Sequence, residues 1–406
     1  MALNTALSGL LGAQDGLNVT ANNLSNASTT GFKSGSAIFA DLYPAGSANA
    51  PGQGVNQQFI QQDYAQGNLK STGNPLDLAI QGNGFFTVSR NGQNSYTRDG
   101  AFQLSPSGQL QTATGSAVQG FGVNANGSSD GVLGNINIST ANEPAKASSK
   151  ITLNAALNTA DPVITKTFNP ADPSTYDKST SVVAYDSLGN ANHVQLYFAQ
   201  QPASGSAPGS WNVYAQPQNA AGSSVGSAKT LTTLKFNSSG ALKSGSAGSL
   251  NVNWGNGAAS SNINFNFRGT TLSAQSFAVN STTNNGNAAG AFTGTKISKT
   301  GQVQATYSNG QKKTVANLGL ASFINNQGLI PVSSNLFQAS TTSGQPSINS
   351  PGAGTNGTLV TGSLEQSNVQ TSNDLVQLLK YQEAYQANTS VLQGTQQDTQ
   401  KLLQLG

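Results

Sequence analysis

Leu3, Leu10, Leu17 and Leu24 recur every seven residues, and Leu7, Gln14 and Ala21 fill the intervening seam positions. This spacing places the leucines on one stripe of a helix over residues 1–25. Gly9, Gly12 and Gly16 interrupt the segment. Each weakens a helix by roughly 1 kcal/mol relative to Ala, so the helix needs a partner that covers its stripe. The far end of the chain repeats the pattern. Leu375, Leu378, Tyr385, Leu392 and Leu403 keep near-heptad spacing, Val376, Leu379, Val391 and Leu402 widen the stripe, and Gln382, Thr389, Gln396 and Thr399 complete the seam. At ~1.5 Å per residue, a helix from residue 367 to 405 is about 55–60 Å long. That is more than a small globular core requires, and it predicts a coiled coil of the two chain ends. Two ordinary helices of a bundle are the alternative.

Between the ends the period falls to two. Residues 76–80, 85–89, 95–98 and 101–104 read as short strands, with hairpin turns at "RNGQ" and "SPSGQ". The same texture continues to about residue 145. After the connection "EPAKASSK", a second β-rich stretch runs from Ile151 to about Val279. It includes two strands joined at Ser187-Leu188-Gly189-Asn190. The polar run "NSTTNNGNAAG" follows, and strands then resume in "GQVQATYSNGQKKTVANLGLASF". The order predicts a multi-domain, mainly β fold: two nested β-rich domains, barrel-like or sandwich-like, plus the helical coiled coil. The expected boundaries are 1–25 and 365–406 for the helices, 26–70 for an extended linking arm, 71–145 and 281–364 for an inner β domain, and 146–280 for an inserted outer one.

The arm opens on "LNVTANNLSNASTTGFKSG". Asn and Ser side chains compete for helix backbone hydrogen bonds, so the run ends the helix. Gly31 permits a turn, and Phe32, Ile38, Phe39 and Tyr43 give the arm apolar anchors. An ordered arm is expected, with residues 46–62 the place for a loose tether.

Composition narrows the function. Only 8% of the 406 residues are charged, against about 25% in ordinary domains. The net charge is +3, and the basic residues are scattered apart from Lys312-Lys313, so no nucleic-acid patch forms. Zero cysteines exclude disulfides, zinc-thiolate sites and thiol catalysis. No apolar run reaches the ~18–20 residues that span a bilayer. The first residues lack the basic start of a cleavable signal peptide. No catalytic constellation emerges. His193, the single histidine, lies in a strand pattern, no close carboxylate pair suggests acid–base work, and "GFGVNAN" lacks the strand–loop–helix setting of a phosphate loop. Asp77 with Asp99 is a distant carboxylate pair, and Asp172 with Asp177 a candidate calcium pair. No metal, cofactor or catalytic residue is assigned.

The ends and the core carry a resemblance. Ala21-Asn22-Asn23-Leu24-Ser25-Asn26 followed by Thr30-Gly31-Phe32-Lys33 resembles the N-terminal signature of bacterial flagellar axial proteins, those of the rod and hook. Leu364-Glu365-Gln366-Ser367-Asn368-Val369 and "YQEAYQAN" resemble its C-terminal counterpart, and "PLDLAIQGNGFF" and "YTRDGAFQLSPSGQL" the shared β core. The insertion, with "YDSLGN" and "WNVY", looks like the outer domain of the hook member.

The resemblance covers nearly the whole chain. It implies a non-enzymatic structural subunit that polymerises into the flagellar hook, a curved universal joint passing torque from rod to filament. It implies self-association, contacts with a distal-rod protein, a hook–filament junction protein and a hook cap, and passage through the flagellar type III export apparatus to an extracellular site without a cleaved signal peptide. No nucleic-acid or membrane partner is implied. The helical seam leucines would lie at the polymer interface, and the terminal helices would order only on assembly. A distal-rod subunit is the near alternative. A secreted adhesin or polysaccharide-active protein, with Trp211, Trp254 and Tyr214 lining a sugar groove, is the distant one.

Overall fold

The computed structural model describes residues 2–43, 52–124, 128–202 and 209–404, except the side chains of Ala2, Leu402 and Leu403. The chain divides into two compact units. The first comprises residues 1–140, 294–306 and 312–406, and the second residues 141–293 and 307–311.

In the first unit, α1 (Ala2–Ser25) and α2 (Thr371–Gln404) pack together. Gly9 lies against Asn388 and Gly16 against Tyr381, so the two helices run antiparallel. At 1.5 Å per residue, α2 is about 51 Å long. It starts at Thr371 rather than 367 because residues 366–370 are engaged in the chain-end junction described below. After α1, strands β1 (Gly35–Asp41) and β2 (Val55–Gln62) pair antiparallel, with a bulge between Ile38 and Phe39. The loose tether expected at 46–62 therefore gives way to a strand over its second half. Glutamine-rich "VNQQFIQQ" reads as loop, yet its backbone is satisfied by β1. Gln53 and Gly54 bond Leu42 just before the strand, and residues 46–51 lie outside the described residues.

Two short ladders then tie the chain back on itself. β3 (Leu69–Ser71) pairs with Ser363–Glu365, and β4 (Leu78–Gln81) pairs with Thr358–Thr361. β5 (Phe85–Arg90) and β6 (Gln93–Thr97) form a hairpin closed by Asn91 and Gly92, with φ of 53° and 79°. That is the conformation Asn-Gly favours in tight hairpins. They belong to a large antiparallel sheet that runs through Lys312–Leu318, Ala117–Val123, β5, β6, Leu336–Gln338 and Ile330–Val332. Residues 85–89 are all buried, marking β5 as covered on both faces. One side is an aromatic cluster in which Phe85 meets Tyr64, Phe323 and Phe337 at ring separations of 5.8, 6.1 and 5.9 Å.

The second unit has two five-stranded sheets. One is antiparallel, in the order Lys178–Tyr185, Ala191–Gln200, Ser210–Gln218, Lys229–Phe236, Leu242–Ser244. The other is built around Lys150–Asn158. Strand Ser210–Gln218 alternates buried and half-buried without exception, the period of a strand with one face on a core. Side chains of both sheets share that core, including Leu153, Phe265, Leu196, Phe198 and Trp211. Trp211 and Trp254 are 0% and 2% exposed, so neither lines a sugar groove. Tyr214 is stacked on Phe168 at 3.9 Å.

Candidate functional site

The Asn-rich run after α1 works through its side chains. Asn26 donates from Nδ2 to the Asn22 carbonyl at 3.0 Å, and Thr29 donates to Asn26 Oδ1 at 3.0 Å. Asn23 is buried in the last turn of α1 and makes a two-way bond with Gly35. Its Nδ2 donates to the Gly35 carbonyl at 2.8 Å, and its Oδ1 accepts the Gly35 N–H at 2.9 Å. This pair clamps the start of β1 to the helix end.

Between them the chain turns at Gly31, φ 67°. A Cβ there would lie 2.5 Å from the Asp99 backbone nitrogen, so only glycine fits. The turn allows Gly31 to donate to the Glu365 carbonyl at 2.7 Å. Two residues on, Lys33 carries its ammonium inward, where lysine and glutamate side chains are both 0% exposed. Nζ donates to Glu365 Oε1 at 2.6 Å and to the Ala65 carbonyl at 2.7 Å. Gly67 N–H adds a bond to Oε1 at 2.9 Å, and Arg98 donates to Oε2 at 3.2 Å. Arg98 also reaches the Gly82 carbonyl at 2.9 Å and lies 5.3 Å above the Phe85 ring.

One buried carboxylate thus serves two cations, a clasp of net charge +1. Burial pushes both Lys33 and Arg98 down from their ordinary values, and Glu365 opposes the shift in each case. Asn368 completes the junction. Its Oδ1 accepts the Ser34 N–H at 2.8 Å and its Nδ2 donates to the Asp63 carbonyl at 2.8 Å. Ser367 accepts the Val369 N–H at 3.3 Å, Leu364 pairs with Lys70 in the β3 ladder, and Phe32 is half-buried. The motif residues of the two chain ends, more than 300 positions apart, therefore meet at one place. Sequence reasoning missed Arg98, although "YTRDG" contains it, and Asn335. Asn335 sits at a turn with Ser334, both at positive φ, and donates to the Thr30 carbonyl at 2.7 Å.

The helical seams differ from expectation. Leu10, Leu17 and Leu24 are half-buried, but Leu3 and Leu7 are 44% and 45% exposed. The side of α1 buried within the chain is made of Ala6, Gly12, Ala13, Gly16, Thr20 and Asn23. A Cβ on Gly16 would lie 2.5 Å from the Tyr381 ring, and one on Gly9 would lie 2.8 Å from the Asn388 amide. The glycines are holes that admit α2 side chains, not mere weaknesses. On α2, Leu378 and Leu392 are half-buried, Leu375 and Tyr385 are exposed, and Leu403 falls outside the described side chains.

Asp99 lies beside the junction. Burial pushes its carboxyl up, and the charge of Asp77 adds to the shift, against the Ala101 N–H bond. Asp77 accepts from Asn74 at 3.0 Å. Asp172 is used as a cap, accepting Ser174 N–H at 3.0 Å, and is half-buried. His193 is half-buried on its strand.

Four families match in chain order: "Flagella basal body rod protein" over residues 3–33, "Flagellar hook protein FlgE/F/G D1 domain" over 79–156, "Flagellar basal body protein FlaE D2 domain" over 152–287, and "Flagellar basal body rod FlgEFG protein C-terminal" over 360–405. The flagellar hook protein FlgE of Escherichia coli K12 is 35% identical over 415 residues, covering 100% of both chains. That of Brucella abortus is 30% identical over 397 residues, covering 96% and 95%. The crystal structure of Helicobacter pylori flagellar hook protein FlgE2 superposes with a TM-score of 0.56 at 14% identity, covering 73% of this chain and 100% of that one.

Proposed function

The chain belongs to the bacterial flagellar hook protein family, and from that premise we propose that it polymerises with its own copies into the hook, the curved flexible tube that carries torque from the basal-body rod to the filament. Head-to-tail contacts that do not close produce such helical polymers. The observation that carries the assembly mechanism is unspent apolar surface on the paired helices. Leu3, Leu7 and Leu11 are 44%, 45% and 51% exposed on α1, and Leu375, Val376 and Leu379 are 48%, 52% and 57% exposed on α2. Within a chain, small residues of α1 admit Tyr381 and Asn388 of α2, and the exposed leucines and valine remain for neighbours. Burying them between subunits is worth roughly 25 cal/mol per Å².

In this reading residues 1–25 and 365–406 form the inner wall of the tube, residues 26–70 the arm that orients it, and the two β units the outer layers. Ion pairs among the described residues are Lys33–Glu365, Arg98–Glu365 and Lys178–Asp161. A weakly charged Ser/Thr/Asn/Gln surface can exchange one water-bridged hydrogen bond for another as the tube bends, whereas a buried ion pair would hold one spacing. The subunit works outside the cell, arriving through the flagellar type III export apparatus without cleavage. It meets a distal-rod protein at the base and a junction protein and cap at the tip. No helix among the described residues is long and apolar enough to cross a membrane.

Electron microscopy of the concentrated protein tests the reading. Curved tubes of uniform diameter are expected from the full chain, and folded β units without tubes after deletion of residues 2–25. Tubes from the truncated chain would overturn helix-driven assembly. Straight, stiff tubes would favour a distal-rod subunit, against which the match of a hook-type domain to residues 152–287 speaks.

A further inference from the structure

Carboxylates with buried oxygens in the second unit meet two opposite fates. Asp186 is fully enclosed and fully served. Its Oδ1 accepts the backbone N–H groups of Leu188 and Asn190 at 2.9 and 3.0 Å. Its Oδ2 accepts the side-chain amides of Asn190, Asn192 and Asn256 at 3.0, 3.1 and 2.7 Å. Asp161 and Asp177 have no such provision. The Asp161 side chain is 9% exposed, and its Oδ1 takes the Lys178 ammonium at 3.0 Å. Its Oδ2 is buried and takes nothing from the described residues. Asp177 Oδ2 accepts the Gln200 N–H at 2.8 Å, while Oδ1 is buried and unserved among the described residues. Gln200 is itself 9% exposed, and its Oε1 shares that condition.

Backbone bonds bring these three residues close together. Asp161 lies just past strand Lys150–Asn158, Asp177 just before strand Lys178–Tyr185, and Gln200 ends the strand paired with the latter. Asp177 N–H bonds the Phe198 carbonyl at 2.9 Å, and Ile164 N–H bonds the Gln200 carbonyl at 2.8 Å, folding the 159–177 loop onto the strand end. Burial pushes the Asp177 carboxyl up, and the nearby charge of Asp161 pushes it further, against the Gln200 N–H and Lys178. Buried oxygens without donors are costly and uncommon in folded proteins.

We propose that Asp161 Oδ2, Asp177 Oδ1 and Gln200 Oε1 ligate a hard divalent cation, calcium by its chemistry. The donors are all oxygen, with neither thiolate nor imidazole to favour zinc. Calcium accepts six to eight oxygens in adaptable geometry and completes its shell with water, whereas magnesium demands a near-ideal octahedron. The described residues hold no group of three or more acidic, His or Cys side chains suited to a metal. A site of two carboxylates and one amide, with Lys178 alongside, is therefore weak, in the range of about 10⁻⁴–10⁻³ M found in extracellular modules. Bound there, the ion pins the 159–177 loop to the sheet.

Terbium luminescence tests this on the full chain, because Trp211 stands opposite Gln200 in the adjoining strand and can sensitise the ion. Sensitised emission is expected, displaced by calcium and far less by magnesium. Tryptophan fluorescence follows unfolding of this unit, which contains both Trp211 and Trp254. Calcium at ten times its dissociation constant should lower the unfolding constant about tenfold. Asp177→Asn should abolish both effects and raise the denaturation midpoint in EDTA, since it removes a charge that lacks a partner without metal. Asp172→Asn should bind terbium as the parent does. Absent terbium emission, an undiminished calcium effect in Asp177→Asn or Asp161→Asn, or a lower EDTA midpoint in Asp177→Asn would each overturn the site and leave a buried water as its occupant.

Discussion

Replacing Glu365 with Gln isolates what the clasp contributes. The substitution keeps the shape of the side chain and removes the charge facing Lys33 and Arg98, while all three groups stay enclosed. Removing one partner of a buried ion pair costs about 3–5 kcal/mol, because the survivor is left uncompensated. Here two cations are left, so the upper part of that range applies. Lys33→Met has a smaller consequence. It leaves Glu365 with Arg98 and the Gly67 N–H, a neutral pair, and costs about 1–3 kcal/mol, comparable to a lost charge-assisted bond. The double variant strands only Arg98, so its cost should fall below the sum of the two. The amides of Gly31 and Gly67 donate directly to Glu365. Hydrogen exchange on peptides covering residues 27–35 and 63–70 of the full chain therefore reads the effect. Glu365→Gln should accelerate exchange by roughly three to three and a half orders of magnitude, and Lys33→Met by about one to two. Unchanged protection in Glu365→Gln, or a larger loss in Lys33→Met, would refute the charge accounting.

Other outcomes are equally open to measurement. Gly31→Ala should unfold the junction, because φ of 67° and a Cβ 2.5 Å from the Asp99 nitrogen leave no accommodation; lost protection at Ser34 checks it. Gly16→Ala gains about 1 kcal/mol of helix propensity yet forces the Tyr381 ring aside at a cost of about 1–3 kcal/mol, so tube formation should weaken. Tyr381→Ala should restore it in the double variant. Leu7→Ser with Leu11→Ser, both on exposed positions, should leave the circular dichroism of the β units unchanged and abolish tubes. Burial would raise the Asp186 carboxyl, but bonds from Asn256, Asn190 and Asn192 outweigh it and hold the group at about 2, below the ordinary 3.8. That depression contributes about 2 kcal/mol, present above pH 3.8 and lost as pH falls through about 2. Tryptophan-monitored stability should drop across that window, and Asp186→Asn should flatten the drop while lowering stability at pH 7.

Local periodicity made the element types legible. The heptads at both ends, the alternation around residues 178–200 and the Asn-Gly turn at 91–92 all have short-range causes, so each is visible in a window of a few residues. The motif residues were legible by resemblance, but their convergence was not. Nothing near Lys33 announces that its partner is Glu365, and Arg98 hides within a strand-and-turn pattern. The glycines of α1 were misread because helix propensity counts only the cost of Gly to its own helix. The benefit of Gly9 and Gly16 resides in Asn388 and Tyr381, on an element at the opposite end of the chain. Strand β2 was misread because glutamine carries weak β preference, and its pairing with β1 decides the matter.

Lys33 and Glu365 are separated by 332 positions, and a polypeptide is made, or threaded through a channel, one end first. While the carboxylate is still inside, Lys33 and Arg98 repel each other with nothing between them, and the N-terminal helix has no antiparallel mate to supply Tyr381. The clasp therefore reports how far the chain has arrived: one that stops short of Glu365 cannot shut it, and one that reaches Glu365 can.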